Sequence, residues 1–339
     1  RNEDGSPMNQ PPLLKNLAED PILRNVKLIA EAWDAGGLYQ VGSFPAFTRW
    51  AEWNGKYRDD MRSFLKGDYW FAQAAASRLT GSLDLYTGQY KGYDSSINFL
   101  TCHDGFSLWD LYSYNGKHNE ANGWNNSDGN DDNRSWNCGV EGETEDPDIR
   151  ALRLQMMKNA CVALMCSRGT PMFLAGDEFG DTRFGNNNPY CQDNEISWLD
   201  WKRLETNQEL YRFFRKMIWF RREHPAIRSD QEPSETGFPA VSIHTDRAWD
   251  CSIDRETKAL AVCYAGKTDQ GEDLVYMALN VYWEEQSFEL PKLPEGYEWN
   301  CFTDTALDGT GEENGEAAIT EYRLHPRSAA VFVGIRRNR

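Results

Sequence analysis

Short apolar runs alternate with amphipathic segments over residues 1–228 of the 339-residue chain. Apolar residues recur at helical spacing in residues 148–167 and again in residues 207–224, which predicts two long amphipathic helices. Shorter helices are predicted at residues 12–20, 58–66 and 69–79. Runs of strand length stand between the helices at residues 26–30, 48–53, 96–101 and 170–175. This alternation is typical of a parallel sheet built from βα units, either a barrel or a doubly wound sheet.

The pattern changes near residue 238, where short alternating runs separated by Gly, Pro and Asp replace the helical spacing. Candidate strands lie at residues 241–244, 259–264, 275–280, 287–290, 299–302 and 329–333. Short strands at this spacing are typical of an antiparallel β-sandwich. We therefore predict an α/β part over residues 1–230 and an all-β sandwich domain over residues 231–339.

Polar residues gather directly after each predicted strand of the first part: Glu31 and Asp34, Trp53 and Asn54, His103 and Asp104, Asp177 and Glu178. The carboxyl ends of the strands in a βα barrel all open on one face, where catalysis takes place. Converging carboxylates suit glycoside hydrolysis, which needs one protonated acid and others that are ionised. Acidic residues at strand ends also bind metals or cap helices, so these alternatives stay open at this point.

Composition narrows the range of ligands. Aromatic residues are plentiful, with 13 Trp, 15 Tyr and 16 Phe, and several stand in loops rich in Gly and Asn. Flat aromatic faces on loops suit stacking against sugar rings or nucleic-acid bases. The chain has 53 Asp plus Glu against 36 Lys plus Arg, a net charge of −17. Such a surface repels phosphate backbones and anionic membranes, which disfavours nucleic acid and favours a neutral polysaccharide.

Eight cysteines occur without any CxxC pair, and no run of 18 apolar residues is present. Cys161 and Cys166 lie in an apolar helical stretch and are expected to be small core residues. We predict free thiols in a reducing compartment, and therefore a cytoplasmic protein without a membrane-spanning helix.

A polar loop at about residues 114–145 is dense in Asn, Asp and Gly and carries Trp124 and Trp136. Loops of this length are usually functional or disordered, and two Trp residues favour function. Residues 128–132 offer oxygen ligands for calcium. An EF-hand, however, needs Gly at loop position 6 and Glu at position 12, where this chain has Asn133 and Gly139. We predict a loop on the substrate side and no metal site, with calcium as the alternative.

Two segments resemble the α-amylase superfamily, glycoside hydrolase family 13. Residues 29–34, Ile-Ala-Glu-Ala-Trp-Asp, resemble the segment with its general acid/base. Residues 99–104, Phe-Leu-Thr-Cys-His-Asp, resemble the segment with its transition-state-stabilising Asp and the adjacent His. Further stretches resemble the isoamylase-type glycogen-debranching enzymes in particular, at residues 50–59, 114–122, 136–143, 169–172, 175–178 and 190–195. The resemblance covers nearly all of residues 5–205 and extends more loosely over the predicted sandwich.

The resemblance implies roles for individual residues. Glu31 would protonate the leaving glycosidic oxygen and later activate water, while Asp104 would help to distort the sugar and stabilise the transition state. His103 would contact the sugar at the cleavage point. Weaker assignments as α-glucan contacts are Trp33, Asp34, Tyr39 and Trp53. Asp177 and Glu178 are expected to orient loops and to take no part in the chemistry.

The resemblance also implies a retaining hydrolase of α-1,6 branch linkages in glycogen or related α-glucans, without an organic cofactor. The implied fold is the second half of a (β/α)8 TIM barrel, strands 5–8, followed by the sandwich. The superfamily nucleophile, an Asp in a Phe-Arg-x-Asp segment, has no counterpart here. Phe-Arg-Arg-Glu at residues 220–223 is the nearest match, and it lies on a predicted helix.

Comparison with the family suggests that the chain starts a few residues after the missing segment. A closed barrel of this kind needs eight strands, and four would leave two unpaired edges. We therefore expect the N-terminal half of the same enzyme as a partner and no activity from this chain alone. A non-catalytic α-glucan-binding fragment and a pullulanase or starch-type isoamylase remain alternatives. A metal-dependent hydrolase is disfavoured, because the five His residues are scattered.

Overall fold

The computed structural model describes residues 1–86, 92–307 and 320–337. Its first part contains a parallel four-stranded sheet in which the strands follow chain order. The strands are β1 (Leu28–Ala30), β2 (Trp50–Trp53), β3 (Ser96–Asn98) and β4 (Thr170–Pro171). All four lie within the predicted runs, so the succession of parallel βα units is confirmed.

The strands are shorter than predicted, and the sheet is curled. β3 ends at Asn98 and β4 at Pro171, so the rest of each predicted strand is loop. Lys27 stands just before β1, yet its Nζ donates to Thr170 Oγ1 of β4 at 2.9 Å. Three steps of about 4.8 Å separate these two edge strands in a flat sheet, so the contact reflects strong curvature.

Eight α-helices lie in the described residues: α1 (Pro12–Glu19), α2 (Gly55–Lys66), α3 (Ala72–Leu79), α4 (Leu108–Leu111), α5 (Pro147–Met165), α6 (Lys202–Thr206), α7 (Gln208–Glu223) and α8 (Pro225–Arg228). Short 3₁₀ turns occur at Tyr93–Ser95, Glu120–Asn122, Asp177–Phe179 and Pro189–Cys191. Asn54 caps α2 by accepting the Tyr57 N–H at 2.9 Å, and Asp146 caps α5. The five predicted helices are confirmed. None of the helices described is both long and apolar enough to cross a membrane.

The C-terminal part consists of antiparallel strands, as predicted. A five-stranded sheet has the order β5-β6-β7-β11-β9, and a two-stranded sheet pairs β10 with β8. The strands are β5 (Val241–His244), β6 (Ala259–Thr268), β7 (Gly271–Asn280), β8 (Gln286–Glu289), β9 (Tyr297–Asp304), β10 (Glu321–Leu324) and β11 (Ser328–Arg336). β10 was not predicted, because only four residues with two charges form it.

The five-stranded sheet is buried on both faces. Along β6, Leu260, Val262 and Tyr264 enter a large apolar cluster shared with α2, α3, α5 and α7. Ala261 and Cys263 point to the opposite face, into a second cluster shared with the two-stranded sheet. Burying one Leu or Val side chain contributes about 1.5–3 kcal/mol. One core therefore joins the two parts of the chain, while the division into domains 1–230 and 231–339 stays a prediction.

Candidate active site

Three candidate residues meet at the carboxyl ends of the parallel strands. Glu31 directly follows β1, whereas His103 and Asp104 lie in the loop between β3 and α4. One side-chain ligand atom from each lies within 4.8 Å of the other two, and all three residues are exposed. His103 Nε2 is 3.6 Å from Asp104 Oδ2. The structure thus brings together, on an open surface, the three residues that sequence comparison singles out for the reaction.

This arrangement supports two kinds of chemistry. Two neighbouring carboxyl groups allow one to donate a proton while the other stays ionised, as glycoside hydrolysis requires. One imidazole and two carboxylates are also a common ligand set for a transition metal. Among the His, Cys, Asp and Glu side chains that the structure describes, those of Glu31, His103 and Asp104 lie close enough together to share one metal ion.

A cluster of aromatic rings lies beside the carboxylates. Trp53, at the end of β2, has its ring centroid 5.7 Å from Phe99, 5.6 Å from His103 and 6.5 Å from Trp33. Trp33 in turn stacks on Tyr39, with centroids 5.9 Å apart and ring planes 17° apart. Since β2 lies between β1 and β3, Trp53 stands between the segments that carry Glu31 and His103. The cluster presents flat faces against which sugar rings can stack.

Tyr39 is held over the start of α2. A Cβ added to Gly55 would stand only 2.8 Å from the Tyr39 hydroxyl and 3.5 Å from Trp33. Burial, with a smaller contribution from the Asp59 charge, raises the pKa of Tyr39 to about 12. The phenol therefore stays protonated at neutral pH and can donate a hydrogen bond. Gly55 was not singled out in the sequence, because its need for space depends on a residue 16 positions away.

Asp34 stabilises a turn. Its Oδ1 accepts the Leu38 N–H at 3.1 Å, and its carboxylate forms an ion pair with Arg1, with Nη2 and Oδ2 2.8 Å apart. The hydrogen bond from Leu38 and then that from Arg1 lower the pKa of Asp34 below its usual value. This turn positions Trp33 and Tyr39, which form an isolated β-bridge across it. A direct contact of Asp34 with glucan stays a prediction.

Asp177 clamps the loop that carries His103 and Asp104. Its carboxylate accepts hydrogen bonds from the Thr101 hydroxyl before these residues and from the Leu108 N–H after them, the latter at 2.8 Å. Burial raises the pKa of Asp177 to about 6. Glu178 accepts the Gly176 N–H at 2.9 Å. Both carboxylates thus orient loops, as predicted.

Further positioning residues were missed in the sequence. Arg183 donates from Nη1 to the His103 carbonyl at 3.0 Å. Gly105 donates its N–H to the Asn187 carbonyl at 2.9 Å, and the Asn187 N–H donates to Asn119 Oδ1, also at 2.9 Å. Hydrogen bonds therefore connect the loop that carries His103 and Asp104 to two Asn-rich loops from distant parts of the sequence. The density of Asn was the available signal, but it does not reveal the pairing.

The long loop at residues 114–145 contains both structural and exposed elements. Trp136 packs against the core, with the Arg327 guanidinium 4.4 Å from its ring centroid, whereas Trp124 is exposed. Asp128 Oδ2 accepts hydrogen bonds from Asn122 and Asn188, each at 2.8 Å, and so ties together the two Asn-rich loops. Calcium binding at residues 128–132 stays an alternative prediction.

Sequence comparison finds relatives over nearly the whole chain. Residues 244–333 match the family model described as isoamylase, C-terminal. Isoamylase 3, chloroplastic, of Oryza sativa subsp. japonica is 44% identical over 336 residues, which cover 98% of this chain. A glycogen operon protein GlgX homolog of Mycobacterium bovis is 44% identical over 310 residues, or 85% of this chain. The chain spans 42% of the length of each relative.

Structural comparison finds the same overall fold in pullulanases. A pullulanase from Bacillus acidopullulyticus superposes with a TM-score of 0.64 at 19% identity, over 92% of this chain and 34% of that one. A pullulanase from Paenibacillus barengoltzii, solved in complex with maltohexaose and α-cyclodextrin, gives a TM-score of 0.62 at 20% identity. That match covers 94% of this chain and 44% of the pullulanase.

Proposed function

The chain belongs to the isoamylase-type family of the α-amylase superfamily, and we propose that it forms the C-terminal part of a retaining hydrolase of α-1,6 branch linkages. The substrate is glycogen or a related α-glucan. The observation that carries the proposal is the meeting of Glu31, His103 and Asp104 within 4.8 Å, beside the aromatic cluster around Trp53. The names of the relatives and structural neighbours, isoamylase, glycogen operon protein and pullulanase, support α-glucan debranching.

The reaction divides into two displacements. In the first, Glu31 gives its proton to the glycosidic oxygen of the branch point as the C1–O bond breaks, and an Asp nucleophile bonds to C1. In the second, ionised Glu31 takes a proton from water, which attacks C1 and releases the nucleophile. Asp104 stabilises the positive charge that develops on the sugar ring, and His103 contacts that sugar. No organic cofactor takes part.

The nucleophile belongs, in this proposal, to the N-terminal half of the same enzyme. Three observations support this: the sequence has no Phe-Arg-x-Asp segment, the chain spans 42% of its relatives, and four parallel strands form a curled sheet with open edges at β1 and β4. Four further strands would close an eight-stranded barrel, in which β1–β4 are strands 5–8. A reducing, cytoplasmic location completes the proposal, supported by eight free cysteines.

The second candidate function is α-glucan binding without catalysis. The missing nucleophile segment favours it for this polypeptide taken alone. A debranching assay separates the two. Glycogen is incubated with this chain, with the N-terminal half, and with both, and the release of linear maltooligosaccharides is measured. Release by the assembled protein alone supports the hydrolase. Glycogen binding without release, even in the assembled protein, would overturn it in favour of a binding fragment.

A further inference from the structure

A cleft of about 440 Å³ lies between the α2–α3 connection and the loops of the five-stranded sheet. Its walls include Tyr69, Asp246, Asp250, Glu256, Tyr282 and Trp283. A second cavity of about 280 Å³ adjoins it and is lined by Tyr69, Trp70, Arg255 and Glu256. Because the two cavities share Tyr69 and Glu256, they form one extended depression, which is called the junction cleft below.

Three large aromatic side chains are exposed along the junction cleft. The exposed fraction is 56% for Trp283, 69% for Trp70 and 55% for Tyr69, so none of them serves mainly as core. The Trp283 ring lies 4.0 Å from that of Tyr282, measured between centroids, at an interplanar angle of 33°. A cleft with exposed aromatic faces of this size is suited to stacking against flat, weakly polar ligand surfaces.

Hydrogen bonds of a buried side chain hold the turn that carries Trp283. Asn280 is buried, and its Oδ1 accepts the Tyr282 N–H at 3.0 Å. Its Nδ2 donates to the carbonyls of Glu284 and His325, both at 2.9 Å. One buried amide therefore fixes the turn on both sides of Trp283. A preformed aromatic surface loses little conformational entropy on binding a ligand.

Trp70 is held outward by strained backbone. Its φ is +77°, a left-handed value that is costly for a bulky side chain. The Trp70 N–H donates to the Arg255 carbonyl at 2.9 Å, and the Arg255 guanidinium carbon lies 5.6 Å from the Trp70 ring centroid. The loop that carries Arg255 therefore holds the backbone of Trp70 in a conformation that leaves its indole exposed and that packing of the core does not require.

The charges of the junction cleft favour a neutral ligand. Carboxylates from Asp246, Asp250 and Glu256 are balanced by Arg247, Lys258 and Arg255, of which Arg255 pairs with Glu256. Lys258 is engaged within the protein, since its Nζ donates to the Gly67 carbonyl at 2.8 Å and lies 3.9 Å from the Tyr69 ring centroid. A lining without net charge favours no ion of either sign, whereas the hydroxyl groups of a sugar chain can donate to carboxylates and accept from guanidinium groups.

The junction cleft is separate from the candidate active site. α2 begins at Gly55, which touches Tyr39, and runs twelve residues to Lys66, a length of about 18 Å. Tyr69 follows the far end of this helix. The helix α2, which leads to the cleft, directly follows β2. β2 is an inner strand of the parallel sheet, since it pairs with both β1 and β3. The cleft therefore lies away from the open edges at β1 and β4.

We propose that the junction cleft is a second α-glucan-binding site, which holds one outer chain of a branched polymer while another chain occupies the candidate active site. The identity of the ligand rests on the proposed function. A long, multiply branched polymer can contact both sites at once and gains avidity, whereas a small branched oligosaccharide reaches only one.

The test compares Trp283→Ala with Trp219→Ala in the assembled protein. Trp219 lies on α7, has the same 56% exposure and does not line the cleft, so it is a matched control. Retardation during electrophoresis through glycogen-containing gels gives the affinity. We expect Trp283→Ala to bind glycogen roughly tenfold more weakly, as for loss of a central Trp contact, and Trp219→Ala to bind like the parent. Trp70→Ala is a second variant with the same expected direction.

Hydrolysis distinguishes this inference from the proposed function. The kcat/KM of Trp283→Ala for a singly branched maltooligosaccharide should equal that of the parent, while its KM for glycogen rises. Equal glycogen affinity of Trp283→Ala, Trp70→Ala and the parent would overturn the second site, as would equal losses in Trp283→Ala and Trp219→Ala. The gel assay needs no turnover. A protein that hydrolyses nothing but loses retardation in Trp283→Ala would refute the hydrolase and retain the binding site.

Discussion

The Asp177 carboxylate accepts the backbone N–H of Leu108 at 2.8 Å. The same carboxylate accepts the hydroxyl of Thr101, so a single side chain from the loop after β4 bridges both ends of the segment with His103 and Asp104. The position of Asp104 relative to Glu31 therefore depends on a buried side chain outside the group of Glu31, His103 and Asp104.

Replacing Asp177 by Asn should misplace this loop. The amide has one acceptor oxygen for the donors of Thr101, Leu108 and Leu174, and its NH₂ group would face another donor. We expect the free energy of unfolding to fall by about 1–3 kcal/mol, together with a lower kcat. Glu178→Gln is the control, because its amide oxygen can still accept the Gly176 N–H. Unchanged kcat in Asp177→Asn would contradict the clamp.

The buried Asp177 also predicts a pH dependence of stability. Its pKa is raised by burial from 3.8 to about 6, so at pH 5 the folded state holds a proton that the unfolded state has released. The stability of the parent relative to Asp177→Asn should fall as the pH rises from 4 to 6, by about 3 kcal/mol at most. Urea unfolding measures this difference. Asp110, raised similarly, is present in both proteins and cancels. A difference that increases with pH would contradict the assignment.

Gly55→Ala should impair substrate binding without destabilising the fold. The added Cβ would meet the Tyr39 hydroxyl at 2.8 Å and displace the ring that stacks on Trp33. Ala is otherwise favourable within a helix. We expect a higher KM for branched glucan and a melting temperature equal to or above that of the parent. Gly116→Ala is the control, since its Cβ would meet no atom within 4 Å. Equal KM values in both variants would show that the Tyr39 position is irrelevant.

Removal of metal ions should leave the activity intact. The proposed chemistry uses proton transfer by Glu31 and charge stabilisation by Asp104, although these residues and His103 could also share an ion. The assembled protein is dialysed against EDTA, and its rate on branched glucan is compared before and after. Loss of activity that returns with added Zn²⁺ or Ca²⁺ would instead favour a metal-dependent reaction.

The order of helices and strands could be predicted because it depends on patterns within short stretches of sequence. The helices α5 and α7 and the strand β5 follow from apolar periodicity within short windows. Strand length could not be predicted in the same way. The run at residues 96–101 is buried throughout, yet β3 stops at Asn98, and the Phe99 ring beyond it lies 5.7 Å from that of Trp53. The sequence pattern gives burial, whereas the end of a strand depends on its partners.

Resemblance could single out the candidate catalytic residues, whereas it gave no sign of the residues that position them. Glu31 and Asp104 stand in short recognisable segments. The bonds from Arg183 to His103 and from Gly105 to Asn187 cross about 80 residues of chain. Such contacts depend on the tertiary fold, and the periodicity of apolar residues does not indicate them. The continuous burial of β6 has the same origin, since helices cover the face that a simple sandwich would leave to solvent.

The most direct test of the central claim is the response of Glu31→Gln to the leaving group. The rates of the assembled protein and this variant are measured on branched glucan and on a glycosyl fluoride, whose leaving group needs no protonation. If Glu31 is the acid, the variant loses at least about a hundredfold on branched glucan, while the step that releases fluoride is nearly unchanged. Asp104→Asn, the matched control, should lose activity on both substrates. Equal losses of Glu31→Gln on both substrates would contradict its role as the acid.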